Sequence, residues 1–194
     1  AATKTFVTSV LAGLSLLAEW REDEGLRAAV AGLPAALEQA VKLDWGPLSA
    51  RLSRAPSAFV LGRGPGFAVA NEAALKFKET CGIHAEAYSA AEVLHGPAAI
   101  VQANFPVLAL GIEDAALPQL CATAERLAAQ GADVFVTGAD VAGATRLPSV
   151  PGLHPIVAPL VMIAAFYAFV EGLARRRGFD PDTPPHLRKV TETV

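Results

Sequence analysis

Three short runs built almost wholly from apolar residues do most to limit what this chain can fold into: Ala58-Phe59-Val60-Leu61, Pro106 to Ile112, and Asp133 to Thr137. A strand with one wet face alternates polar and apolar residues, so a continuous apolar run implies cover on both faces, as in a parallel sheet. Gly62-Arg63-Gly64-Pro65-Gly66 follows the first run and leads into helix-compatible sequence from about Phe67 to Thr80. The second run precedes a helix reaching Ala129, and the third stops at Gly138. Ala85 to Tyr88 reads as a further strand, and Ile156-Val157-Ala158 is the candidate for one more before a final helix of about Pro159 to Arg177. Strand, turn and helix recurring in this order specify an α/β class in three αβα layers.

The ends of the chain are different. From Thr3 to about Ala31, Phe6, Val10, Leu14 and Leu17, with Val7 and Leu11 beside them, recur at helical spacing and predict one long amphipathic helix. A second helical stretch starts at Pro34 and runs through Leu37 and Val41 until Gly46-Pro47, read as a breaker. After Gly178, Pro181, Pro184 and Pro185 forbid a continuing helix and leave an extended tail. The divisions are therefore 1–54, helical; 55–178, α/β; and 179–194, tail.

Composition narrows the function classes. Of 194 residues 53% are hydrophobic and the net charge is −3, too apolar and too little charged for a disordered chain. The densest basic run is Arg175-Arg176-Arg177, so no nucleic-acid partner is expected. The longest apolar stretch, Val157 to Val170, falls short of the roughly 20 residues that cross a bilayer and reads as a core helix. Cys81 and Cys121 are too few for a disulfide framework and predict buried, reduced thiols, hence a cytoplasmic protein. The start, Ala1-Ala2-Thr3-Lys4, has no signal-peptide character and reads as mid-helix, so a longer parent protein is expected.

Chemistry concentrates between residues 62 and 97. The glycine-rich turn ends a strand and opens a helix, where backbone amides favour an anion, yet it is neither G-x-G-x-x-G nor a Walker loop; a plain tight turn stays equally open. Glu72, Lys76 and Glu79 are spaced by four and then three and share one helix face. Such spacing ordinarily gives solvated surface pairs; apolar Leu75, Cys81 and Ile83 around them, and His84, Glu86, Glu92 and His95 close behind, favour a site for proton transfer. His95, in Leu94-His95-Gly96-Pro97, is weighed as functional and His84 as structural. No H-E-x-x-H, Cys/His zinc spacing or G-x-S-x-G elbow occurs, so no metal site, cofactor or serine nucleophile is expected.

At Leu61-Gly62-Arg63-Gly64, Glu72-Ala73-Ala74-Leu75-Lys76-Phe77-Lys78-Glu79, His84-Ala85-Glu86-Ala87 and Ala91 to Pro97, the sequence resembles the sugar isomerase (SIS) family. The likeness is to the second SIS domain of the aminosugar-phosphate synthases and of their stand-alone deaminase/isomerase relatives. It extends to Pro185-His186-Leu187-Arg188-Lys189-Val190-Thr191 and to the opening residues, which look like the end of a first SIS domain. The resemblance implies a five-stranded parallel sheet and a sugar-phosphate substrate. It makes Glu79 the carboxylate shuttling a proton between C1 and C2, His95 the ring-opening histidine reached from the neighbouring subunit of a homodimer, and Lys189 the tail lysine closing over the sugar. Ala1, Ala2, Glu72, Lys76 and Arg188 then hold substrate or tune the base.

The family's phosphate loop, S-x-S-G-x-[ST], has no counterpart in the chain, so activity is expected only together with a first SIS domain. With no glutaminase segment, conversion of glucosamine 6-phosphate to fructose 6-phosphate and ammonia is favoured. The alternatives are a non-catalytic sugar-phosphate sensor, the isomerase half of a glutamine-dependent aminotransferase, and a domain with a degenerate site. Part of the apolar excess, on the first helix above all, is expected to cover a partner domain or subunit.

Overall fold

A computed structural model of the chain describes residues 2–185. Four helices lead: α1 (Lys4–Trp20), α2 (Glu24–Ala31), α3 (Leu33–Ala40) and α4 (Gly46–Leu52). Then come β1 (Ser57–Gly62), α5 (Gly66–Cys81), β2 (His84–Ser89), two 3-10 turns (Val93–His95 and Pro97–Ile100), β3 (Pro106–Ala109), α6 (Leu117–Ala129), β4 (Asp133–Val136), β5 (Thr145–Arg146) and α7 (Ala158–Arg176). The five strands form one sheet in the order β2-β1-β3-β4-β5, with every neighbouring pair parallel. Val60 pairs with Ala87 on one side and Leu108 on the other, so the first apolar run is the centre of the β2-β1-β3 unit.

Both faces are covered, as the unbroken apolar runs require. Ala58, Val60, Leu108 and Phe135 join the core cluster that contains residues of α1 to α5 and α7. Phe59, Leu61, Val107, Val134 and Val136, alternating with them, join a second cluster with α6 and the 3-10 turns. On the first face Phe77 of α5 meets Phe166 of α7 edge to face, ring centres 5.0 Å apart. Arg177 then fastens the helix ends: its guanidinium donates to the carbonyl oxygens of Cys81 (2.7 Å), Leu52 (2.7 Å) and Ala55 (3.1 Å). A cation here meets carbonyls that helix termini leave without intrahelical donors.

Several expectations need correction. The helix expected from Thr3 to Ala31 is two, because Glu22 takes a left-handed φ of 51° and the Asp23 carboxylate caps α2 by accepting from the Leu26 amide at 2.9 Å. Gly46-Pro47 opens α4 and does not merely break a helix; proline suits a first turn, whose amides lack intrahelical acceptors anyway. Ile156-Val157-Ala158 supplies no strand: residues 155–157 form a turn into α7, and the fifth strand is the two-residue β5, paired with Phe135 and Val136. Cys81 is buried, whereas Cys121 is only partly so; both are free thiols.

α7 is long and apolar enough to cross a membrane, yet 61% of its most apolar window is buried inside the fold. α1 matches the expected uncovered apolar face. Leu16 and Trp20, one turn apart, are 69% and 82% exposed.

Candidate functional site

α5 carries the site. It begins where β1 ends, through a turn so tight that a Cβ on Gly62 would lie 2.5 Å from the Gly66 carbonyl oxygen, which makes glycine necessary there. It ends at Gly82, left-handed at φ 61°, and the amide of the next residue, Ile83, donates to the Phe77 carbonyl at 3.1 Å. Between these fixed ends Ala70, Ala73, Ala74, Phe77 and Cys81 are buried in the core. Glu72, Lys76 and Glu79 lie on an adjoining face.

The two charged pairs are not surface pairs. Lys76 Nζ is 2.6 Å from Glu79 Oε2 and 3.3 Å from Glu72 Oε1, and its side chain is 3% exposed, against 9% for Glu72 and 19% for Glu79. Lys42 and Glu38 have the same helical spacing at 68% and 72% exposure, which is the solvated arrangement worth only about 0.3–0.5 kcal/mol. A buried ammonium is tolerated only when paired and hydrogen-bonded, and here two carboxylates share it. One ammonium between two carboxylates leaves a surplus negative charge.

Glu72 has a second donor. The hydroxyl of Tyr167, on α7 and 95 residues away, donates to Glu72 Oε1 at 2.7 Å. Burial, then that hydrogen bond, then the charges of Glu72 and Glu79 push the phenol far above its usual range, so it stays protonated and donating. Tyr167 escaped the sequence reading because it sits in an apolar stretch with no spacing relation to α5. Its one signal is a hydroxyl within a run otherwise made of core residues.

An open groove of ≈ 560 Å³ runs between α1 and α5, with Thr5, Phe6, Ser9 and Val10 on one wall and Leu75 with the charged triad on the other. Its volume lies in the range of small-ligand sites. Glu72, Lys76 and Glu79 are its ionisable lining among the described residues, and Ala2 also borders it. Glu79 is the most exposed of the three.

His95 is not part of this cluster within the chain. Itself exposed, it ends a 3-10 turn beyond the carboxyl end of β2, before Gly96 at φ 148°. Glu79 lies 13 residues into α5, about 20 Å from that edge of the sheet at 1.5 Å per residue. His84 lies on the surface, 3.9 Å from Glu86, which in turn accepts from the Tyr88 hydroxyl at 2.6 Å. Ala1, Arg188 and Lys189 fall outside the described residues.

Residues 51–140 match the SIS domain model, and they comprise β1 to β4 with α5 and α6. The chain belongs to the SIS domain family. It is 35% identical over 199 residues to the glutamine–fructose-6-phosphate aminotransferase (isomerizing) of Legionella pneumophila strain Paris, covering 97% of this chain and 33% of that protein. A solved candidate phosphosugar isomerase from Silicibacter pomeroyi DSS-3 is 52% identical with a TM-score of 0.88, covering 92% of this chain and 55% of the other. The glucosamine-6-phosphate deaminase of Thermotoga maritima is 25% identical with a TM-score of 0.75, covering 97% of this chain and 56% of the other. This SIS chain thus spans about a third of the curated relatives it matches and about half of these solved chains.

Proposed function

We propose that this chain is the C-terminal SIS half of a phosphosugar isomerase whose substrate is an aminosugar 6-phosphate, and that Glu79 is its catalytic base. The observation that carries the reading is the buried Glu72–Lys76–Glu79 cluster opening on the α1–α5 groove. The likenesses to a glucosamine-6-phosphate deaminase and to aminotransferases of the isomerizing kind support the substrate class.

The chemistry follows from what one carboxylate can do. In the open-chain sugar, C2–H is acidified by the adjacent aldehyde. Glu79 takes that proton, giving an enolamine across C1 and C2 with O1 protonated, and returns a proton to C1. The C2 imine that results is hydrolysed by water to fructose 6-phosphate and ammonia. Because the donor and acceptor carbons are neighbours, one correctly placed base serves both transfers. Lys76, 2.6 Å from Glu79 Oε2, holds that carboxylate in place at the groove.

His95 lies too far from Glu79 to serve the same cluster, which supports a homodimer in which it opens the sugar ring in the partner's site. Lys189 and Arg188 are proposed to close over the sugar from the tail. The exposed Leu16 and Trp20 support the packing of α1 against a first SIS domain, which would also supply the phosphate loop. In the complete protein, Glu79→Gln keeps the side-chain shape and removes the base. It should abolish conversion of glucosamine 6-phosphate while leaving sugar-phosphate binding in place; undiminished conversion would overturn the assignment, and binding without turnover in the parent protein would favour the sensor reading.

A further inference from the structure

Tyr167 has no place in the proton transfer itself, yet its hydroxyl donates to Glu72, the carboxylate of the cluster that is not assigned the transfer. Three contacts link four side chains in series: Tyr167 Oη to Glu72 Oε1 at 2.7 Å, Glu72 Oε1 to Lys76 Nζ at 3.3 Å, and Lys76 Nζ to Glu79 Oε2 at 2.6 Å. Lys76 is therefore held unequally, close to Glu79 and farther from Glu72. The same Glu72 oxygen faces both the phenol and the ammonium, so the phenol satisfies part of its demand for a donor. Without it, Glu72 would compete harder for the ammonium it shares with Glu79.

We propose that Tyr167 is a positioning residue for Glu79: by donating to Glu72 it leaves Lys76 free to sit against Glu79. This rests on Glu79 being the base. The phenol suits the task because it stays protonated across the working range and the donation does not reverse. α7 is in turn a rigid carrier, since Phe166 beside Tyr167 packs on Phe77 of α5. Other charged groups face Lys76 from its far side. Glu171, on α7, and Asp182, beyond its end, border a small cavity of ≈ 190 Å³ together with Thr80 and Tyr167. Glu171 is engaged by Arg175, one turn along α7.

The test is the pH dependence of kcat/KM for glucosamine 6-phosphate in the complete protein. A base must be ionised to act, so its acid limb reports how well Lys76 supports Glu79. Tyr167→Phe weakens that support and should move the acid limb to higher pH by about half to one unit, with KM little changed. Glu72→Gln removes the competing charge and should move the limb to lower pH. In the double variant the Tyr167 effect should vanish, because the phenol acts through that carboxylate. A structural role alone would lower the active fraction without moving the limb. An unshifted limb in Tyr167→Phe, or a Glu72→Gln limb that fails to move down, overturns the proposal even should one variant fold poorly. Glu79→Gln run alongside separates the two readings. A dead Glu79→Gln with an unshifted Tyr167→Phe removes only the tyrosine's role; an active Glu79→Gln removes both.

Discussion

Replacing Lys76 by Met keeps the length and apolar stem of the side chain and deletes its charge. The ammonium is 3% exposed and within 3.3 Å of both carboxylates, so its loss strands two like charges on one helix face with the Tyr167 hydroxyl as remaining donor. Breaking a buried ion pair from one side costs about 3–5 kcal/mol. Glu79 is 19% exposed and regains some hydration, which places the expected loss near the lower end, about 3 kcal/mol. The loss must depend on pH. Without Lys76 the folded state favours proton uptake by a carboxyl more than the unfolded state does, so the stability deficit is largest at neutral pH and shrinks as pH falls. Urea unfolding of wild type and Lys76→Met across neutral to mildly acid pH measures both quantities. Adding Glu72→Gln should recover part of the stability at neutral pH. A loss below about 1 kcal/mol with no pH dependence is what a solvated surface pair would give, and it would refute the buried-cluster account.

Two further substitutions test the frame that holds the cluster. Arg177→Ala removes three hydrogen bonds to the carbonyls of Leu52, Ala55 and Cys81, and should lower stability by about 2–4 kcal/mol in thermal or urea unfolding; this is below three full charged-donor bonds of about 1.5–3 kcal/mol each because the site is only part-buried and water can reach the freed carbonyls. Gly82→Ala meets a left-handed φ of 61° and would set its Cβ 2.8 Å from the Phe179 ring, so a loss of at least about 1 kcal/mol is expected by the same measurement.

What could be read from the sequence was whatever burial wrote into a local pattern. β1, β3 and β4 are covered on both faces, and so they stand out as apolar runs. β5 is two residues at the sheet edge, Thr145 and Arg146, both exposed; it makes no run, and the apolar Ile156-Val157-Ala158 drew the reading away from it. The break between α1 and α2 was hidden because the apolar spacing passes through it, while the cause is one capping carboxylate at Asp23. At the site, Glu72, Lys76 and Glu79 were legible because i, i+4, i+7 spacing places them on one helix face. Their burial was not, since it comes from packing against distant segments. Tyr167 joins them through tertiary structure alone, and His95 is separated from them by the length of α5.

The most direct measurement is hydrogen exchange between solvent and sugar. The complete protein, incubated with glucosamine 6-phosphate in deuterated water and followed by NMR, should place deuterium on C1 of the fructose 6-phosphate formed, because the proton passes through an ionisable carboxylate. Glu79→Gln should bring both incorporation and product formation to background. Deuterium entering the sugar at the wild-type rate in Glu79→Gln would contradict the account.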